Sequence, residues 1–416
     1  MPMQPWFPDA KLGIFIHYGI YAVDGVPESW AMYTGEVSRA DYLAQIDGFT
    51  AEHYDPQAWA DLFARAGARY AVLTARHHDG FALWDTAYGT NNVGRDLIGP
   101  YAQALRDKGL KVGLYYSHSD WTHPDYATVR STGAAKYVND NRLSAPPEGG
   151  EDPAAWRRFL AYRDGQVGEL MDRYRPDLLW FDGEWERAEE QWGIDKLADQ
   201  ILAVNPQTVL NARMLSRGDY ATPEQGVPIT PPDGPWELCL TINDSWGYQG
   251  RDTNHKSVRQ LVRYFAEAIG AGGNLLLDVG PTADGRITPE QTARLDGLGG
   301  WIAAHAEAVY GTTAGLPAGH HYGPSTLSAD RRTLYLYLFD QPRETVAVRG
   351  LRSAIQRVRV VGRDAELAHR RDGGLGDVPG VTWIDAPAAA DLDEYATVLA
   401  VEFDGELDLY RGTGRD

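Results

Sequence analysis

One cysteine, Cys239, stands in 416 residues, which excludes an intrachain disulfide and any cysteine-rich zinc or iron-sulfur site. No run approaches eighteen apolar residues, so no transmembrane helix is expected. The start, Met1-Pro2-Met3-Gln4-Pro5-Trp6, lacks the basic and then apolar layout of an export signal, and a cytoplasmic location is the resulting expectation. Basic residues are scarce. With 39 Lys and Arg against 58 Asp and Glu the net charge is −19, the wrong sign for a protein that tracks the phosphates of a nucleic acid. Internal repeats and low-complexity tracts are missing, and no Gly-x-Gly-x-x-Gly follows the first apolar run, which argues against a doubly wound dinucleotide-binding sheet. No motif implies a cofactor.

What is present is ordinary globular material, 43% hydrophobic, at a length that suggests two domains. The 13 Trp and 23 Tyr are many. Aromatic planes can stack on sugar rings, although most of them fill cores.

Up to about residue 310, short apolar runs alternate with helical patterns. The runs are Leu12 to His17, Tyr70 to Ala75, Lys111 to Ser117, Asp177 to Asp182, Thr208 to Arg213, Trp236 to Thr241 and Asn274 to Val279. Between them, Asp55-Pro56 caps a helix that Gly67 closes, residues 154 to 174 carry apolar side chains at helical spacing, and Thr288-Pro289-Glu290-Gln291 reads as a capping box. Seven strands with helices predict a (β/α)₈-like barrel over 1–310, its eighth strand unplaced. The Pro/Gly-rich stretch Ser144 to Pro153 reads as a surface loop of that barrel. Beyond Gly311 apolar and polar residues alternate between turns, in Arg332 to Asp340, Thr345 to Arg349, Gln356 to Val361, Gly380 to Ile384 and Tyr395 to Phe403, which predicts an all-β C-terminal sandwich over 311–416.

In a (β/α)₈ barrel the polar residues at the C-terminal strand ends converge on one mouth. Here five apolar runs deliver His17, His77-His78-Asp79, Tyr115-Tyr116-Ser117-His118, Trp180-Phe181-Asp182 and Asn211-Ala212-Arg213. Any one polar strand end has a plain explanation in solubility; five together do not. Asp182, at a strand end and followed by Gly183, suits a nucleophile or base, with Glu184 and Glu186 ranked behind it as second carboxylates. A glycosidase needs two carboxyl groups. Glu224 lies in Thr222-Pro223-Glu224-Gln225, which resembles a helix start, yet Gly226, Pro228, Pro231 and Pro232 cannot sustain a helix. Glu224 is therefore placed in a loop, as the preferred general acid, its proton expected to be held by burial near Trp236 or Trp246 and by proximity to the Asp182 anion; Glu237 is the competitor. The histidines with nearby carboxylates also suit zinc. Strand alternation puts His77 and His78 on opposite sides, so no metal is expected and neutral histidines that hydrogen-bond sugar hydroxyls are the preferred use.

At these residues the sequence resembles the α-L-fucosidases of glycoside hydrolase family 29. The likeness runs through Lys11-Leu12-Gly13-Ile14-Phe15-Ile16-His17-Tyr18-Gly19, Leu73-Thr74-Ala75-Arg76-His77-His78-Asp79-Gly80-Phe81, Gly113-Leu114-Tyr115-Tyr116-Ser117, Trp180-Phe181-Asp182-Gly183-Glu184-Trp185, Asn243-Asp244-Ser245-Trp246-Gly247-Tyr248 and Gly273-Asn274-Leu275-Leu276-Leu277-Asp278-Val279-Gly280-Pro281. The resemblance implies an often imperfect barrel with a C-terminal β-sandwich, and a retaining exo-glycosidase acting on fucosylated oligosaccharides or glycoconjugates. It implies Asp182 as nucleophile and His17, His77, His78, one tyrosine of Tyr115-Tyr116, Trp180, Arg213 and Trp246 as fucose-binding positions. Glu224, 42 residues after Asp182, fits the acid/base interval of related bacterial enzymes, while Trp236-Glu237 is a family motif. The family's Glu-Trp pair after the first strand, a further substrate-binding site, is interrupted here as Glu28-Ser29-Trp30. The alternatives are a retaining glycosidase or transglycosylase for a related sugar such as an α-L-galactoside, or a non-catalytic carbohydrate-binding protein. Linkage, aglycone and any homo-oligomer stay open.

Overall fold

The computed structural model describes residues 3–126 and 152–412; the expected surface loop from Ser144 lies outside them, except for its last residues. Seven parallel strands form one curled sheet: β1 (Leu12–Ile16), β2 (Tyr70–Arg76), β3 (Lys111–Ser117), β4 (Leu178–Asp182), β5 (Val209–Leu210), β6 (Glu237–Thr241) and β7 (Asn274–Val279). Their order is β5-β4-β3-β2-β1-β7-β6. Nearly every residue in them is buried, as expected of parallel strands covered on both faces.

The eighth strand is not missing but irregular. Beyond β5 the chain runs between the two open edges of the sheet through isolated parallel bridges, Asn211 with Tyr220, Ala221 with Trp236 and Glu224 with Cys239. Backbone bonds from Glu237 N to Ala221 O (2.9 Å), Cys239 N to Pro223 O (3.1 Å) and Gln225 N to Cys239 O (2.9 Å) hold this seam to β6. Its prolines and its left-handed Gln225 (φ 61°) keep it from becoming a regular strand, which is why no apolar run marked it.

The covering helices are α1 (Pro56–Arg65), α2 (Ile98–Asp107), α3 (Pro153–Tyr174), α4 (Ile194–Val204), α5 (Val258–Gly270) and α6 (Pro289–Ala304). Asp55 caps α1 and Asp152 caps α3, each with proline in the first turn. Only half of the box expected at α6 forms. Thr288 accepts the Gln291 N–H, but the Gln291 side chain turns away to Asn243.

The C-terminal strands are β8 (Thr312–Ala314), β9 (Ser325–Ser328), β10 (Thr333–Leu338), β11 (Thr345–Arg349), β12 (Ile355–Val360), β13 (His369–Leu375), β14 (Val378–Asp385) and β15 (Thr397–Phe403). They form sheets of order β12-β15-β10-β9-β8 and β11-β14-β13 around an apolar core that includes Leu334, Leu336, Val348, Val358, Ile384 and Val401. Strand β13 is exposed along its whole length, so no burial pattern announced it. The other face of β10 and β15 joins the barrel core through Tyr335, Tyr337, Val398 and Ala400, and Trp301 of α6 donates to Ala396 O at 2.9 Å.

Candidate active site

The C-terminal strand ends enclose a cavity of about 880 Å³. Asp182, the last residue of β4, reaches into it. Gly183 turns the chain sharply behind the carboxylate with φ 79°, and a Cβ there would fall 2.5 Å from Ser119 Oγ. The Tyr115 hydroxyl donates to Asp182 Oδ2 at 2.8 Å, Arg213 Nη1 donates to Oδ1, and His78 Nε2 lies 3.5 Å from Oδ2. Burial raises the Asp182 carboxyl, but the Arg213 guanidinium, His78 and the Tyr115 hydroxyl outweigh it and hold the group below the ordinary aspartate value. Asp182 is an anion at the floor of the cavity.

Arg213 arrives by an unusual route. Strand β5 is only two residues long; Asn211 then exchanges two 2.9 Å bonds with the Phe181 backbone, and Arg213 lies in the 3₁₀ turn Ala212–Arg217. Its guanidinium sits 4.7 Å above the Trp180 ring and its second terminal nitrogen donates to Glu224 Oε2 at 2.9 Å. One cation therefore holds both carboxylates. Glu224 stands on the barrel seam outside any helix, as its flanking prolines required. Its side chain is 42% exposed and meets Arg213, so the expected burial beside Trp236 or Trp246 does not occur.

Glu237 occupies a different place. It is fully buried in the barrel interior and does not line the cavity. Its carboxyl accepts from the hydroxyls of Tyr70 and Tyr220 and, at 3.0 Å, from Trp180 Nε1. Burial lifts it to about 7. The run from Glu237 through Trp180 to Arg213 supports the carboxylate pair from beneath.

The three histidines each commit Nδ1 to the protein: His17 to Asp278 Oδ1 (2.7 Å), His77 to Ser29 Oγ (2.5 Å) and His78 to Ser117 Oγ (2.6 Å). Burial drives His17 down to about 3, His78 to about 4 and His77 well below its ordinary value, so the rings are neutral, each with one donor and one acceptor nitrogen. The expectation that His77 and His78 diverge is corrected. Strand β2 ends at Arg76 after a register shift, alternation stops there, and the two rings lie 4.4 Å apart, with His77 in the cavity wall and His78 beneath Asp182.

Of the tyrosine pair, Tyr115 is in the site. Tyr116 faces the other side of the sheet, bonded to Gln166 and stacked under Arg76, and is not a cavity residue. Trp180 and Trp246 line the cavity, and Trp246 packs against His17 at 5.0 Å. Trp30 does so as well, whereas Glu28 does not. Glu28 is buried and accepts the Gly247 N–H at 2.5 Å, so it anchors the loop that carries Trp246. The residue interrupting the Glu-Trp pair has its own use, since Ser29 is the partner of His77. Glu184 lines the cavity and Glu186 is buried beneath it, bonded to Trp121 and Tyr126. Phe15, Tyr33, Trp185, Leu215 and Cys239 also line it. Tyr33, on the short helix Trp30–Thr34, and Leu215, on the kinked turn Ala212–Arg217, carry no signal in the sequence because neither follows a strand end.

Among the reactions a barrel mouth can host, hydrolysis of a glycoside with retention uses this set: an anionic carboxylate, a second carboxyl on the same cation, neutral imidazoles for hydroxyls and aromatic walls. Fold and site thus define a retaining glycoside hydrolase. The model of the family described as Alpha-L-fucosidase matches residues 1–307, and the chain belongs to that family. It is 33% identical to human tissue α-L-fucosidase over 348 residues, 74% of this chain and 69% of that one. Among solved structures, α-L-fucosidase isoenzyme 1 of Paenibacillus thiaminolyticus superposes with a TM-score of 0.84 at 32% identity, covering 96% of this chain and 98% of that one. The Thermotoga maritima α-fucosidase in complex with fucose gives 0.77 at 29%, covering 96% and 97%.

Proposed function

We propose that Asp182 and Glu224 are the nucleophile and the acid/base with which this chain, an α-L-fucosidase, removes terminal α-L-fucosyl residues from fucosylated oligosaccharides or glycoconjugates. The observation that carries this is the Arg213 guanidinium shared by the two carboxylates at the barrel mouth. Retaining enzymes hold their two carboxyls about 5 to 5.5 Å apart, a separation that one guanidinium can span. Asp182 attacks the anomeric carbon while Glu224 protonates the departing oxygen. The fucosyl ester forms as the glycosidic bond breaks. Glu224, now a carboxylate, takes a proton from a water that attacks the same carbon and releases Asp182. Esterification neutralises Asp182 as Glu224 gives up its proton, so Arg213 exchanges one anionic partner for the other.

His17, His77 and Tyr115 offer hydrogen bonds to sugar hydroxyls, and Trp246 and Phe15 give the fucose methyl an apolar wall. Such a wall discriminates only modestly against an added hydroxyl, so slow cleavage of an α-L-galactoside is expected. The test is turnover of an aryl α-L-fucoside followed by NMR of the first-formed anomer. Release of α-L-fucose supports the scheme; release of the β-anomer, or binding without turnover, refutes it.

A further inference from the structure

The cavity is larger than one sugar ring needs, at the upper end of the range of about 300 to 1,000 Å³ typical of ligand pockets. Its aromatic residues fall into two groups. Phe15, His17, Tyr115, Trp180 and Trp246 are joined by ring contacts of 4.5 to 6.0 Å. On the other side Trp30 meets Tyr33 at 5.2 Å and stacks nearly parallel with Trp185 at 6.1 Å. The mechanism uses the first group. The second, apart from the substrate contact expected of Trp30, has no assigned ligand.

Glu184 belongs to the second group by chain position, adjoining Trp185 on the 3₁₀ turn Glu184–Glu186. It lines the cavity, yet its Oε2 is buried without a hydrogen-bond partner. Both terminal nitrogens of Arg213 are taken by Asp182 and Glu224. A carboxylate here would stand in the field of the Asp182 anion with only the shared Arg213 to answer it; burial, opposed by Arg213 and assisted by Asp182, lifts Glu184 to about 7. A neutral carboxyl has an O–H to donate and a carbonyl to accept with, which suits a neutral hydroxyl-rich ligand and not a cation. Leu215, with a positive φ of 51° and ψ of −123°, also lines the cavity.

We infer that Glu184 is the polar anchor of a leaving-group subsite, hydrogen-bonding a hydroxyl of a neutral pyranose that rests against Trp185 and Trp30. This rests on the fucosidase reading above. Glu184 is a specificity residue here and takes no proton from the reacting atoms. Its role is selective: an aryl aglycone has no hydroxyl to offer it, a second sugar does.

The experiment compares an aryl α-L-fucoside with fucosyl disaccharides linked α-1,2 to galactose and α-1,3, α-1,4 and α-1,6 to N-acetylglucosamine, using wild type, Glu184→Gln, Glu184→Ala and Trp185→Ala. For the best disaccharide, kcat/KM is expected to fall at least tenfold in Glu184→Ala and in Trp185→Ala, and less than threefold on the aryl fucoside. Glu184→Gln, still a donor and acceptor, should stay within threefold of wild type on both. Equal losses on both substrates in Glu184→Ala, or no loss on either, overturn the inference. So does an Ala variant whose aryl activity is lost and restored by azide with retained product, which would make Glu184 the acid. A wild type active on the aryl fucoside but on none of the disaccharides also overturns it. A wild type inactive on everything refutes the fucosidase reading instead.

Discussion

Two glutamates compete for the acid/base role, and their surroundings predict opposite responses to the same change. Glu237→Gln alters a carboxyl enclosed by Tyr70, Trp180 and Tyr220, which burial keeps largely protonated near pH 6. Gln is close in shape to the neutral acid and still accepts the Trp180 N–H, so Trp180 and the Arg213 resting on it stay in place. At most one neutral hydrogen bond is disturbed, worth about 1 kcal/mol, which bounds the loss in kcat/KM near fivefold. Glu224→Gln removes the proton donor itself, and general acid/base catalysis is worth about 10² to 10⁴. Both variants are assayed near pH 6 on a fucosyl disaccharide and on an aryl fucoside, with and without azide. Glu224→Gln should be slow on both substrates, most severely on the disaccharide, whose leaving group needs protonation. Azide should restore aryl turnover in it by attacking the fucosyl-enzyme without a base, giving α-fucosyl azide. Azide should do nothing for Glu237→Gln. If instead Glu237→Gln loses a hundredfold and yields α-fucosyl azide, while Glu224→Gln remains active, the assignment drawn from the cavity lining is wrong.

Further outcomes are expected elsewhere. A 2-fluoro-fucosyl fluoride should label the peptide containing Asp182 by mass spectrometry, and Asp182→Ala should neither be labelled nor hydrolyse; a label on another carboxyl refutes the nucleophile. Glu28→Ala should raise KM for an aryl fucoside about tenfold by freeing the Gly247 N–H and the Trp246 loop, while Glu28→Gln, which still accepts that bond, stays near wild type. The buried carboxyl of Glu237 sits at about 7 against an ordinary 4.5, so its folded state binds the proton more tightly; that contribution is complete below about pH 4.5 and lost as pH rises through 7. The shift corresponds to about 3 kcal/mol. His17 and His78, depressed to about 3 and 4, act in the opposite sense and lose stability as pH falls below 6.5. The difference in unfolding free energy between wild type and Glu237→Gln, followed by denaturant titration from pH 5 to 8, isolates the carboxyl. It should move in favour of the Gln variant as pH rises, and a flat difference refutes the placement.

What could be read from residues alone follows from where regular periodicity holds. Strands β1 to β4, β6 and β7 are continuous apolar runs because both faces are buried, and the runs of β1 and β4 end in polar residues, His17 and Asp182, that line the cavity. His17, Tyr115, Asp182 and Trp180 were legible in this way. Where the backbone leaves its regular period the pattern loses its meaning. His77 and His78 follow a register shift, so alternation mis-sorted them; Glu28 and Trp30 sit outside any strand, and their opposite fates are settled by the Gly247 and Trp185 contacts. Tyr116 was inseparable from Tyr115 without knowing which face of β3 looks inward. The seam after β5 escaped because three isolated bridges in a proline-rich stretch leave no apolar signature.

That seam has a consequence for how such an enzyme can change over generations. Inserting or deleting residues in any of the seven regular strands would shift a register and turn buried side chains outward. Between Gln225 and Trp236 the chain has no ladder to disturb, and exposed Ile229 and the surrounding prolines touch little of the core. Lengthening this stretch changes the interval between Glu224 and Glu237 at almost no cost to the barrel. Glu224, the proposed acid, thus adjoins a stretch that can change length, while Asp182, the proposed nucleophile, ends a regular strand that tolerates no slippage.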